Sequence, residues 1–282
     1  MPGSMTLIDG EPGDRIPVSD RGLQYGDGLF ETIAVRDGRP CLWRQHLERL
    51  ATGCARLDIP APAPARLAAE AEALLTNVAA ADGVLKLVVT RGSGPRGYAS
   101  PPAPKPRRIL SFAPGLPAVI DGAKAGVRLT LCRTRLGENQ RLAGIKHLNR
   151  LEQVLARAEW SDPGVLDGVM CNAHGQVVCG TMSNLYLLDD AGIATPPLTH
   201  CGVAGTVRTL VRDCARDLGV PFAERVLRPE DLFAAHGLCI SNALLGVLPV
   251  ARIGAHRCRP EAVPAALIER VRQIALEPEM QS

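Results

Sequence analysis

One lysine, Lys146, stands where the chain changes from one local pattern to another. Apolar Ala143 and Ile145 precede it. The apolar residues that follow recur at helical spacing: Leu148, Leu151, Leu155 and Ala158. A lysine held between an extended segment and a helix cannot easily swing back into bulk water, so its amine is kept available to form an imine. A surface lysine near a helix start is the alternative interpretation.

A second candidate is an arginine beside a predicted helix face. That face carries apolar residues at helical spacing: Trp43, Leu47, Leu50, Cys54 and Leu57. Arg49 lies just off this stripe. An arginine in that position commonly extends its guanidinium to solvent, but its planar fork also suits phosphate oxygens.

The loop over 91–98 contains a Gly-x-Gly-x-x-Gly pattern directly after the predicted strand 84–90. In a dinucleotide site a helix must follow, because its N-terminus holds the pyrophosphate. That helix is forbidden here by four prolines, which are Pro101, Pro102, Pro104 and Pro106. The acidic residue that such a site needs about 20 positions further on is also missing. The pattern therefore does not predict a dinucleotide site.

A later loop, over 200–206, contains Gly202 and Gly205 and leads into a predicted helix that ends at Gly219. Free backbone N–H groups and the helix dipole make such a helix start an anion site. An ordinary capped helix fits the same residues.

The segment 168–179, which precedes this loop, is predicted to form a hairpin with its turn at His174–Gly175.

Composition excludes several classes of protein. The 282 residues, 46% of them hydrophobic, can bury a full core and have room for two domains. A net charge of +3 without a basic block, and only 3% aromatic residues, disfavour nucleic-acid binding. We expect no membrane segment, no metal site, a cytoplasmic location and nine reduced, mostly buried cysteines.

The segment Gly144–Gln153 closely resembles the lysine segment of the aminodeoxychorismate lyases. These belong to the branched-chain and D-amino-acid aminotransferase superfamily, the fold-type-IV pyridoxal phosphate (PLP) enzymes. The resemblance covers about 20–250. It implies an α/β (α+β) fold of two domains, D-amino-acid aminotransferase-like, with PLP bound to Lys146. We divide the chain into residues 1–113, a linker over 114–124, and a C-terminal domain over 125–282 that carries the lysine.

The same resemblance suggests roles for further residues. It puts Arg49, Asn242 and Ala243 near the PLP phosphate, together with the helix start at Gly205, Thr206 and Val207. The string Arg91–Tyr98 is typical of these lyases, so Arg91, Arg96 and Tyr98 are candidates to bind a substrate carboxylate. A solvated loop arginine is the alternative for Arg96. Thr32 is expected near substrate, although a β-branched residue also suits a strand.

One position departs from the family pattern. Relatives carry a glutamate five residues before Asn184, where it pairs with the pyridine nitrogen of PLP, and this chain carries Cys179. A neutral thiol cannot stabilise a pyridinium as a carboxylate does, so the cofactor should withdraw electrons less strongly.

The resemblance implies a homodimeric lyase that converts 4-amino-4-deoxychorismate, a small-molecule substrate, to 4-aminobenzoate and pyruvate. The aromatic product supplies its own driving force, so this reaction should tolerate a weaker electron sink. Two alternatives stay open. One is a D-amino-acid or branched-chain aminotransferase, and the other is a PLP-binding protein that has lost catalysis.

Overall fold

The structure, a computed structural model, describes residues 5–78, 80–117 and 125–278. The chain divides into two compact units. The first comprises residues up to 116 together with 145–149 and the residues from 276 onward, and the second comprises 117–144 and 150–275. Of the linker predicted over 114–124, residues 118–124 lie outside the described residues. The predicted mixture of helices and sheets is confirmed.

In its described residues the first unit contains six strands and three helices. Its strands are β1 (Met5–Ile8), β2 (Glu11–Pro12), β3 (Gly28–Arg36), β4 (Arg39–Pro40), β5 (Gly83–Thr90) and β6 (Arg107–Pro114). Its helices are α1 (Arg21–Tyr25), α2 (Trp43–Leu57) and α3 (Pro64–Thr76). The strands form one antiparallel sheet in the order β2-β1-β6-β5-β3-β4.

The two faces of this sheet differ, because successive side chains of a strand point to opposite sides. On β3, Leu29, Glu31 and Ile33 are buried on the face that α2 covers. Phe30 and Thr32 point to the other face and stay half-buried. Only one face is thus a closed core, and the other is accessible to a ligand.

The predicted helix over 43–57 is confirmed, but only Leu50 and Cys54 of the predicted stripe are buried. The residues that α2 buries are His46, Leu50, Gly53 and Cys54, whereas Trp43 and Leu47 are half-buried. Residues 21–25 form the short helix α1. Asp20 caps α1 by accepting hydrogen bonds from two backbone N–H groups, and Gly26 ends it with a φ of 66°.

The part of the second unit that the structure describes contains nine strands, three complete helices and all but the last residue of a fourth. The strands are β7 (Val127–Leu136), β8 (Val165–Asn172), β9 (Val177–Gly180), β10 (Asn184–Asp189), β11 (Gly192–Thr195), β12 (Phe222–Glu224), β13 (Gly237–Asn242), β14 (Gly246–Ile253) and β15 (His256–Arg257). The helices are α4 (Leu151–Arg157), α5 (Thr206–Asp217), α6 (Pro229–Ala234) and α7 (Ala265–Leu276), with a 3₁₀ turn at Pro260–Ala262.

These nine strands form one mixed sheet in the order β12-β11-β10-β13-β14-β7-β8-β9, with β15 paired to β14. Strands β8 and β9 form the predicted hairpin. Both faces of β8 are buried, since Val169 and Cys171 belong to one apolar cluster and Met170 to another. A strand buried on both sides needs apolar side chains on both faces, and Val169, Met170 and Cys171 supply them here.

The helix predicted after the lysine forms, but its apolar face is not buried. In α4 only Ala156 is buried, whereas Leu151, Val154 and Leu155 are 76%, 60% and 61% exposed. The inward side carries Glu152, which accepts a hydrogen bond from the backbone N–H of Gly137. The apolar face indicated by helical spacing is therefore exposed in this chain.

The nine cysteines, which all lie in the described ranges, form no disulfide with one another, and all but the half-buried Cys258 are buried, as predicted. Within the described ranges, the helices are too short or too polar to cross a bilayer.

Candidate active site

The main chain of Lys146 is hydrogen-bonded to the edge of β3. The backbone N–H of Phe30 donates to the carbonyl of Lys146 over 2.9 Å, and the N–H of Leu148 donates to the carbonyl of Gly28 over 3.0 Å. Strand β4 pairs only with Val35 and Arg36, at the far end of β3. The lysine segment lies along the near end and belongs to the first unit for this reason, although our sequence-based boundary assigned it to the C-terminal domain.

Gly28 allows this close approach. A Cβ at that position would lie 2.8 Å from the Leu148 side chain and 2.5 Å from the carbonyl oxygen of Val89. Because the two hydrogen bonds to β3 hold the lysine backbone in place, the freedom of this residue lies in its side chain. This is the arrangement that a reactive amine needs when it must return to one position in every cycle.

The Lys146 amine lies over the open face of the sheet. Its Nζ is 4.3 Å from the centre of the Phe30 ring, and the Nζ of Lys86 is 5.6 Å from the same ring. Thr32 points to this face and is directly opposite Lys86 in the β3–β5 register. The face thus combines two amines, a hydroxyl and an aromatic surface, which are groups suited to imine formation and proton transfer.

Arg49 has a buried partner that the sequence did not suggest. Its guanidinium forms a two-point ion pair with Glu31, and one of these hydrogen bonds is 2.9 Å long. The same carboxylate contacts the Nδ1 of His46 at 2.6 Å. Glu31 and His46 are 1% and 0% exposed. Residues 31, 46 and 49 therefore form one buried cluster that sets the orientation of the Arg49 guanidinium.

The pKa values of this cluster are strongly perturbed. Burial raises the pKa of Glu31, but the charge of Arg49 and the hydrogen bonds from His46 and Arg49 outweigh it and lower that pKa to about 2. Burial lowers the pKa of His46, and the hydrogen bond and negative charge of Glu31 raise it. The positive charges of Arg49 and Lys146 also lower it, so the net effect is a lowered pKa. Glu31 is thus a carboxylate at neutral pH, and His46 is a neutral imidazole.

The two arginines of the loop after β5, Arg91 and Arg96, lie in different environments. Arg91 is 6% exposed and donates to both oxygens of Asp27 and to the carbonyls of Leu57 and Asp58. This favours a structural role for Arg91 over the predicted contact with substrate. Arg96 is exposed, and Tyr98 is 87% exposed. The side chains of Arg96 and Tyr98 are therefore accessible to a ligand.

In the second unit, the helix start at residues 205–207 has the features of an anion site. Gly205 caps the twelve-residue helix α5 without a side-chain hydrogen bond. The hydroxyl of Thr206 is buried and has no hydrogen-bond partner among the described residues. Asn184 fixes the preceding loop, since its side chain accepts from the Gly205 N–H over 3.0 Å and donates to the Val203 carbonyl over 2.9 Å.

A phosphate fits this helix start. A buried hydroxyl donor without a partner is costly, and an anion at the N-terminus of the helix satisfies both the hydroxyl and the free backbone N–H groups. Val207 is fully buried, so its part in such a site is its backbone N–H. Asn242 ends β13, and its side-chain oxygen accepts from the N–H groups of Leu244 and Leu245. That turn presents Ala243, which is half-buried.

Cys179 lies on β9 beside the loop that carries Gly202, where a Cβ would be 3.9 Å from its sulfur. Burial, reinforced by the charge of Asp167, raises the pKa of the Cys179 thiol to about 12. The thiol is therefore neutral, and a pyridine nitrogen would find no carboxylate at this position.

Asp167 is the nearby carboxylate that the sequence analysis missed. Its two oxygens accept hydrogen bonds from both the backbone and the hydroxyl of Thr181, from the hydroxyl of Ser183, and from the N–H of Gly168. It thereby holds the turn between β9 and β10. Local spacing contains no signal for this role, because the contacts join residues 14 to 16 positions apart.

Comparison with known proteins defines the class. The amino-transferase class IV family model matches residues 28–253, and the chain belongs to that family. It is therefore a PLP-dependent enzyme, and the predicted cofactor and fold are confirmed.

Within this family the chain is similar to lyases. It is 35% identical to the aminodeoxychorismate lyase of Vibrio harveyi, over 89% of this chain and 92% of that protein. The crystal structure of 4-amino-4-deoxychorismate lyase from Pseudomonas aeruginosa matches it with a TM-score of 0.88 and 46% identity, covering 95% of this chain and 98% of that one. A bifunctional aminodeoxychorismate lyase and D-amino acid transaminase of Mycobacterium tuberculosis is 28% identical, over 85% of this chain and 88% of its own length.

Proposed function

We propose that this protein is the PLP-dependent lyase that converts 4-amino-4-deoxychorismate to 4-aminobenzoate and pyruvate. The observation that carries the proposal is Lys146, whose backbone is fixed on β3 and whose amine lies 4.3 Å from the centre of the Phe30 ring, in a chain similar to such lyases over nearly its whole length. When bound, PLP withdraws electrons from the carbon that carries the substrate's amine.

In this proposal the chain's own residues hold the cofactor and move one proton. Lys146 would hold PLP covalently, and Arg49 with the backbone N–H groups of residues 205–207 would bind its phosphate, with Asn242 and Ala243 beside it. The amine of Lys146, released when the substrate's amine takes its place on the cofactor, would accept the proton from C4 of the substrate. The bond between the ring and the enolpyruvyl oxygen then breaks, the ring becomes aromatic, and Lys146 or Thr32 returns a proton to the enolpyruvate carbon.

The experiment is to incubate the purified PLP-loaded protein with 4-amino-4-deoxychorismate and to measure 4-aminobenzoate and pyruvate. We expect both products in equal amounts, and none from Lys146→Ala. Reduction with borohydride followed by peptide mapping should label Lys146. Because the Lys86 amine lies over the same Phe30 ring, a label on Lys86 would contradict the assignment.

A second assay separates the lyase from its alternatives. Relatives of this chain include D-alanine aminotransferases, such as the protein of Staphylococcus epidermidis at 26% identity. The same preparation should therefore be given D-alanine and 2-oxoglutarate. Rapid amino transfer without 4-aminobenzoate formation would favour the aminotransferase, and a bound cofactor with neither activity would indicate lost catalysis.

We also infer that the protein is a homodimer in the cytoplasm and that the outer face of α4 takes part in the subunit contact. The inferred subunit contact is supported by the apolar side chains of Leu151, Val154 and Leu155, which are exposed to water in a single chain. A twofold axis would bury the same face of both copies. Leu155→Lys should shift the sedimentation coefficient toward that of a monomer, whereas Leu218→Lys, at an isolated exposed leucine, should not. An unchanged dimer in Leu155→Lys would exclude α4 from the contact.

A further inference from the structure

A buried arginine, Arg21, binds the backbone of the loop that presents Arg96 and Tyr98. Its side chain is 4% exposed. It donates to three consecutive carbonyls, those of Gly97, Tyr98 and Ala99, over 3.0, 3.1 and 3.2 Å. These residues lie outside the helices and strands, so Arg21 supplies hydrogen bonds that regular structure supplies elsewhere.

The other contacts of Arg21 fix the guanidinium itself. Its Nε donates to Asp27 over 2.8 Å, and its guanidinium lies 4.9 Å from the centre of the Tyr25 ring. The hydroxyl of Tyr25 accepts from the Gly97 N–H, and the rings of Tyr25 and Tyr98 are 5.5 Å apart. Asp27 also pairs with Arg91, and the hydrogen bonds from both arginines lower its pKa despite burial. The loop is thus attached to α1 at four backbone groups.

A buried cation is an expensive way to stabilise a loop. Its desolvation opposes folding, and well-packed apolar residues commonly stabilise a protein as well or better. What a guanidinium adds is geometry, because its planar set of donors meets several carbonyls in one fixed orientation. The residues whose orientation it determines, Arg96 and Tyr98, are themselves exposed. The loop is therefore held rigidly while its polar side chains remain free to meet a ligand.

We propose that Arg21 is a positioning residue for substrate: it holds the loop over 94–99 so that Arg96 and Tyr98 meet a carboxylate of the substrate in a fixed geometry. This inference rests on the proposed function. A loop ordered in advance does not have to be ordered on binding, which strengthens substrate binding. Lys146 and the cofactor site are untouched, so loss of Arg21 should raise KM and leave kcat nearly unchanged.

The test compares the PLP-loaded wild type with Arg21→Lys. A lysine keeps the charge but cannot reach three carbonyls and Asp27 at once. We expect KM for 4-amino-4-deoxychorismate to rise about ten-fold or more, kcat to stay within about three-fold, and PLP content to be unchanged. Trypsin should cleave after Arg96 faster, because the loop can then enter the protease.

Two further variants make the test specific. Arg108→Lys is the matched control, since Arg108 is a mostly buried arginine of the same unit that pairs with Glu70 and Asp9. It should leave KM and cleavage at Arg96 unchanged. In an Arg96→Ala background, Arg21→Lys should raise KM by much less than it does alone, because the two act through one contact. If Arg21→Lys does not fold, Tyr25→Phe removes only the bond to Gly97 and should raise KM about two- to five-fold.

Three results would overturn the inference. The first is an unchanged KM in Arg21→Lys, whatever the rate of cleavage. The second is an equal loss of kcat and PLP, which would mean general damage. The third is an increase in KM that adds fully to that of Arg96→Ala. If the wild type forms no 4-aminobenzoate, the proposed function fails instead, and the cleavage assay still reports whether Arg21 holds the loop.

Discussion

Replacing Arg49 with alanine should destabilise the cofactor-free protein far more than the loss of an exposed charge. It leaves the Glu31 carboxylate, 1% exposed, with His46 as its remaining described partner. The lowering of the Glu31 pKa from 4.5 to about 2 corresponds to about 3 kcal/mol of stabilisation at neutral pH. Removing one partner of a buried ion pair typically costs about 3–5 kcal/mol, so both routes give a similar size.

The sign of the pH dependence follows from the direction of that pKa. Because the folded pKa of Glu31 lies below its ordinary value, the stabilisation is present above pH 4.5 and is lost as the pH falls toward 2. The difference in unfolding free energy between wild type and Arg49→Ala should therefore be largest near pH 7. It should shrink below pH 4.5, where the unpaired carboxyl of the variant is protonated.

Urea unfolding at pH 7 and pH 4 measures both effects. Arg44→Ala is the control on the same helix, because the Arg44 side chain is 73% exposed and its loss should change stability by less than about 1 kcal/mol. The double variant Glu31→Gln with Arg49→Ala removes both charges and should recover most of the stability. A loss below about 1 kcal/mol in Arg49→Ala, or a double variant as unstable as the single one, would refute the reasoning.

Three further predictions concern the cofactor. The Arg49→Ala single variant and the double variant with Glu31→Gln should bind PLP at least about ten-fold more weakly in a fluorescence titration, since a charge-assisted contact is worth roughly 1.5–3 kcal/mol. Unchanged affinity would remove Arg49 from the phosphate site. Thr206→Val should also weaken PLP binding several-fold while the stripped protein unfolds at the same urea concentration, because the hydroxyl has no partner in the described chain. Cys179→Glu should keep 4-aminobenzoate formation within about ten-fold, or about 1.4 kcal/mol, yet speed conversion of PLP to its pyridoxamine form with D- or L-alanine. A variant that converts PLP no faster would show that Cys179 does not limit this side reaction.

Local patterns in the sequence predicted most elements correctly. Helix α2, the β8–β9 hairpin and the helix ending at Gly219 each depend on residues a few positions apart, whose periodicity, caps and turns act within one segment. Lys146 became a candidate for the same reason, since apolar residues precede it and residues at helical spacing follow it. The family resemblance rests on such short segments, and it led to the correct fold and cofactor.

The partners of the charged residues could not be derived in this way. Arg49 meets Glu31 only because α2 covers the face of β3 to which odd-numbered side chains point, and Arg21 meets the carbonyls of Gly97 to Ala99 across 76 to 78 positions. Arg91 and Arg96 look alike in sequence, yet one is buried against Asp27 and the other is exposed.

The sequence by itself indicated most of the helices and strands and which of their faces are apolar, and it made Lys146 the candidate to hold the cofactor. The tertiary structure alone decided which faces are covered, as the exposed leucines of α4 demonstrate, and which charges are paired. The physical reason is that periodicity depends on neighbours along one segment. Burial and ion pairing depend on how separate segments pack, and that packing is set by the whole chain at once.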